Sequence, residues 1–171
     1  MEKADREDVA KKIFGFTEVI ENMNTADEDR AAILLNRSLA HSSRGGDGDL
    51  DRAIADCTRV LEMDDLSAGR RAAALSARTA HLKKRALEGD AEKGIGDQTQ
   101  IIQMDEASNV QCANAMHVRG SIYQNRDHDG DVESAIADYM AALQFTGIPD
   151  WMREKIMESL VDIRSDKMRH I

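Results

Sequence analysis

The 171-residue sequence predicts an all-α fold of stacked, antiparallel helix hairpins, and three observations predict it. The vocabulary is that of helices: Ala, Leu, Met, Glu, Asp and Arg are plentiful, aromatic residues make up 4%, and Pro149 is the single proline. A four-residue string recurs as Ala53-Ile54-Ala55-Asp56, Gly94-Ile95-Gly96-Asp97 and Ala135-Ile136-Ala137-Asp138, with a step of 41 residues both times. Finally, Ala53, Ile54, Cys57, Val60 and Leu61 follow the i, i+3, i+4, i+7 spacing of an amphipathic helix.

The step organises the rest of the chain. It carries Arg37 onto Arg78 and Arg119, Gly48-Asp49 onto Gly89-Asp90 and Gly130-Asp131, and Leu61 onto Ile102 and Leu143. Run backwards, it sets Ile13 on Ile54 and Phe16 on Cys57, so the chain opens with half a repeat over residues 5–23. Three full units follow at 29–65, 70–106 and 111–147, and residues 150–169 read as a C-terminal capping helix. All belong to one repeat domain spanning 1–171. Within a unit the pattern is helix, polar turn, helix, as in Ile33 to Ala40, the turn Ser43 to Asp49, and Ala53 to Leu61. Asp49, Asp90 and Asp131 fall where a carboxylate is expected to cap the free amides of the second helix.

Arg37, Arg78 and Arg119 recur in phase with Asp56, Asp97 and Asp138, which predicts a ladder of ion pairs between the two helices of each hairpin. Met23, Met63, Met104, Met116, Met140 and Met157 sit at helical spacing and are expected to fill the core.

Asn36-Arg37-Ser38-Leu39-Ala40-His41, Val118-Arg119-Gly120-Ser121-Ile122-Tyr123 and Ala135-Ile136-Ala137-Asp138-Tyr139 with Ala142 resemble the two helices of tetratricopeptide (TPR) repeats. The period is about seven residues longer than the family's usual 34 or so, a length that also suits armadillo-like or HEAT-like arrays. The Ala-Ile-Ala-Asp signature favours the TPR-like reading. That resemblance implies a right-handed superhelical stack whose first helices line a concave groove for a peptide or helix. Carried over by register, the groove residues are Leu35, Leu39 and Ser42, then Ser76, Ala80, Lys83 and Lys84, then Asn114, His117, Ser121 and Gln124. Lys83-Lys84-Arg85 is the basic cluster of that surface and suits an acidic peptide segment. The family's carboxylate clamp is not expected, because its positions hold Leu35, Leu39, Ser76 and Ala80.

Charge and motif narrow the function. With 32 acidic and 23 basic residues the formal charge is -9, which repels nucleic acid and anionic membranes. No apolar run approaches the roughly 20 residues of a membrane span, and the opening Met1-Glu2-Lys3-Ala4-Asp5-Arg6 has no signal-peptide character, so the expected location is cytoplasmic. Cys57 and Cys112 have no metal-ligand spacing. Asp127 to Asp138 resembles a calcium loop, but Val132 replaces its turn glycine, so a capped turn is expected there. No phosphate loop, nucleophile elbow or HExxH occurs, and His41, His81, His117, His128 and His170 share no repeat position. The expected function is therefore non-enzymatic and cofactor-free: a module that binds another protein. The rival is a structural unit, a homodimer or a piece of a longer array, in which the open half-repeat Asp8 to Glu21 pairs with a second copy.

Overall fold

The computed structural model describes residues 3–22 and 26–169, and so leaves Met23 and His170 outside the described residues. Among the described residues there are eight helices and no strand: α1 (Lys3–Asn22), α2 (Asp27–Arg44), α3 (Asp49–Leu61), α4 (Ala68–Arg85), α5 (Asp90–Ile102), α6 (Asn109–Arg126), α7 (Asp131–Ala142) and α8 (Asp150–Arg169). The starts of α2, α4, α6 and α8 fall at 27, 68, 109 and 150, again a step of 41, and those of α3, α5 and α7 fall at 49, 90 and 131. Hence α8 has the register of a first helix, and α1, with Thr17 on Thr58, that of a second.

Local chemistry sets the ends. The first turn of α2 carries Asp27, Glu28 and Asp29 and its last turn His41 and Arg44, which complements the helix dipole. Ser67 caps α4 by accepting the Arg70 N–H, and Ser108 forms a reciprocal capping box with Gln111 on α6. Each first helix then stops at a left-handed residue, Gly45, Ala86 or Asp127, whose N–H returns to the carbonyl four residues back.

The chain divides into two compact units, Met1–Asp90 and Ala91–Ile171. In the first, α1 packs on α2, α2 on α3 and α3 on α4, and the core gathers Ala31, Leu34, Leu35, Cys57, Val60 and Ala74. In the second, α6 packs on α7 and α7 on α8 around Ala113, Ala135, Tyr139, Ala142, Ile148, Met152, Ile156 and Ile163. Within each unit a hairpin buries its apolar face against the next helix in sequence, α2–α3 against α4 and α6–α7 against α8, as a repeat stack requires.

Candidate functional site

What a binding surface can offer depends on which side chains the scaffold consumes, and the scaffold consumes most of the recurring charges. In each turn the last arginine of the first helix grips the first aspartate of the second. Arg126 donates to Asp131 through Nε at 2.9 Å and Nη2 at 2.7 Å, and Arg85 to Asp90 at 3.0 and 2.5 Å. Arg44 makes the same fork on Asp49, with Nε at 2.8 Å. The carboxylate also accepts a backbone N–H from the turn: Gly46 to Asp49, Leu87 to Asp90 and His128 to Asp131, at 2.8 to 2.9 Å.

This corrects the expectation that these aspartates cap their helices. They are the first helical residues, and at α3 and α7 the cap position holds a left-handed glycine, Gly48 or Gly130, with no side-chain cap. The carboxylate turns back into the loop because a half-buried guanidinium fork and an orphan amide wait there. Arg44 and Arg126 thereby hold Asp49 and Asp131 below the usual carboxylate range.

The predicted ladder is present in the first and third hairpins. Arg37 forks onto Asp56 at 2.8 and 2.6 Å and also reaches Thr17 Oγ1 at 3.1 Å on the preceding second helix. Arg119 repeats this on Asp138, at 2.8 and 2.7 Å, and on Thr99, at 2.9 Å. Arg78 donates to Thr58 Oγ1 at 3.2 Å, while Asp97 belongs to the other unit. A second stitch joins successive repeats: Arg85 reaches Asp51 at 2.7 Å and Arg126 reaches Glu92 at 3.2 Å. With Asp131 and Asp138 both held by arginines, the calcium-loop resemblance of Asp127 to Asp138 loses two of its carboxylates to structure. Among the described residues no three potential metal ligands stand together, and no helix is long and apolar enough to cross a membrane.

The groove residues implied by the resemblance separate into outward and inward sets. In the first unit Leu39 is 56% exposed, Ala80, Lys83 and Lys84 are exposed, and Ser42 and Ser76 are half-buried. Lys84 Nζ donates to the Ser42 carbonyl at 2.6 Å and lies 3.4 Å from its hydroxyl, which ties the ends of α2 and α4 together. Leu35 instead packs into the core. In the second unit Asn114, Ser121 and Gln124 are half-buried, but Gln124 Oε1 accepts the Tyr139 hydroxyl at 3.1 Å. His117 is buried, its Nε2 3.0 Å from Ser159 Oγ on α8 and its ring 5.6 Å from that of Tyr139. Leu35 and His117 thus face the packing, not solvent.

One surface was not singled out as such by the sequence pattern, and it corrects the core expectation for Met157, which is 52% exposed, as Met140 is 47% exposed. Glu154, Met157, Glu158, Val161 and Asp162 line a shallow depression of about 540 Å³ on α8. The signal was available, since the step of 41 sets Met157 on Met116, Leu75 and Leu34.

These features define an all-helical, repeat-like array. Compared with known proteins, the chain matches no family model, no curated protein and no solved structure.

Proposed function

We propose that the chain is a non-enzymatic interaction module of the TPR-like kind, a right-handed superhelical stack whose first helices present a concave surface to an extended or helical segment of another protein. The observation that carries this reading is a contrast between register positions. The repeats keep the ion pairs that build the hairpins, half-buried Arg44, Arg85 and Arg126 with buried Asp49, Asp90 and Asp131. On the outward side of the same first helices they vary: one register position holds Leu39 in the first repeat and Ala80 in the second, both exposed. Exposed positions whose residue changes from repeat to repeat are the ones suited to reading a partner. The charged residues that recur are already used in structural pairs, which supports binding over catalysis.

Leu39 and Ser42 stand one turn apart on α2, as Ala80 stands one turn from Lys83 and Lys84 on α4. An apolar anchor beside an ammonium pair suits a segment with a leucine-sized residue followed by carboxylates. Fluorescence anisotropy with a panel of acidic, neutral and basic peptides tests this. Acidic peptides are expected to bind best, Lys83→Glu with Lys84→Glu to weaken them at least about tenfold, and Leu39→Ser to weaken acidic and neutral peptides alike. A panel in which no class is preferred, or binding that both variants leave unchanged, overturns the reading.

A further inference from the structure

The step of 41 states what covers each helix. In the register of α2, α4 and α6, the residues at Ala31, Ala72 and Ala113, at Leu34 and Leu75, and at Ser38, Thr79 and Gly120 are all buried. The equivalent residues of α8 are Glu154, Met157 and Val161, and Met157 is 52% exposed where Leu34 is fully buried. Among the described residues no helix of the second type covers that face. On α1 the complementary face is open. Val19 is 39% exposed although its register mates Val60, Ile101 and Ala142 are buried, and Lys12 is exposed where Ala53, Gly94 and Ala135 are buried.

The two open faces have also changed together. Inside each unit one junction is a polar trio, Thr17–Arg37–Asp56 in the first and Thr99–Arg119–Asp138 in the second. One step further on, the threonine has become Met140 and the arginine Leu160. One step back, the position of Asp56 is Gly15. A second-type helix that brought the usual aspartate to α8 would bury it against Leu160 with no cation. A helix that brings glycine meets leucine instead, and α1 is such a helix.

We propose that α8 of one copy docks against α1 of a second copy in the manner of α6 against α7, so that a hairpin is completed between two chains. Met157, Leu160 and Val161 then meet Gly15, Phe16 and Val19, while Glu154 and Glu158 on one face oppose the sign of Lys12 on the other. The contact is heterologous, because each copy gives a different face, so assembly closes as a ring or continues as a filament.

Light scattering on the full chain, from about 10 µM to about 1 mM, is expected to show a mass rising above the 19.0 kDa of one copy. Leu160→Arg alone places a cation opposite Gly15, and Gly15→Asp alone an anion opposite Leu160. Each is expected to raise the concentration needed for association at least about tenfold. An equimolar mixture of the two variants regains association, since one of its two junctions carries Arg opposite Asp and the other is native. A Cβ at Gly15 meets nothing within 4 Å, so the substitution starts without a clash in the fold, and its helix content by circular dichroism is expected to match the wild type. Met157→Arg, at a half-exposed position one turn before Leu160 on the same face, replaces Leu160→Arg should the latter lose its helix content. A wild type that stays at 19.0 kDa throughout overturns the proposal, as does association that these variants leave intact, or folded variants whose mixture fails to reassociate.

Discussion

At the scale of single residues, Asp131 shows how much one carboxylate can hold. It is 3% exposed, takes two guanidinium hydrogen bonds from Arg126, and accepts the His128 amide. Removing it leaves a half-buried cation and an orphan N–H, so Asp131→Ala is expected to cost about 3 kcal/mol in urea unfolding. Asp129→Ala, in the same loop but exposed, is expected to stay within about 0.5 kcal/mol. Equal effects would mean that the fork is ornamental. The arginine half of this clamp lay within the pattern, since the step that carries Arg37 onto Arg78 also carries Arg44 onto Arg85 and Arg126. What the pattern lacked was direction. A charged residue at a helix end is ordinarily solvated, and only the left-handed turn, which aims Gly46, Leu87 or His128 at the carboxylate, turns it inward.

At the scale of elements, the hairpins adjust both faces to one another. In the first hairpin Ser38 meets Cys57, its hydroxyl 3.6 Å from the thiol. In the third the same register pairs Gly120 with the fully buried ring of Tyr139. A Cβ on Gly120 would sit 2.6 Å from Tyr139 Cε1, so the glycine is the space that the ring fills. Gly120→Ala is therefore expected to destabilise by about 1–3 kcal/mol in thermal unfolding, overriding the roughly 1 kcal/mol an alanine adds in a helix. Gly69→Ala, with nothing within 4 Å, keeps that gain and serves as the control. A Gly120→Ala protein as stable as the wild type would refute the fit. The helices and their period were legible because the same apolar spacing recurs and errors of one unit do not. The inward turn of His117 was not, because it depends on Ser159 and Tyr139, partners brought from 42 and 22 residues away by packing.

At the scale of the whole molecule, stability against pH sums groups that no single repeat contains. His41 and His81 are both buried, and burial pushes both below the ordinary 6.5; Asp49 pulls His41 partly back, while Lys84 lowers His81 further. With folded values lower than unfolded ones, the unfolded chain binds more protons below about pH 6.5, so stability rises with pH across that window. The histidine contribution is complete above it and is lost as the pH falls through the folded values. Asp49 and Asp131, held below 3.8 by their arginines, add a second loss at lower pH. A formal charge of -9 acts the other way, because acidification relieves self-repulsion as carboxylates elsewhere are neutralised. The histidine part is isolated by comparing the wild type with a His41→Asn, His81→Asn variant in urea unfolding at several pH values. The difference in free energy between the two is expected to shrink steadily from about pH 7 to about pH 5, as the wild type alone loses stability to protonation. A difference that does not change with pH, or that widens in the wild type's favour on acidification, would show that burial does not keep these imidazoles neutral.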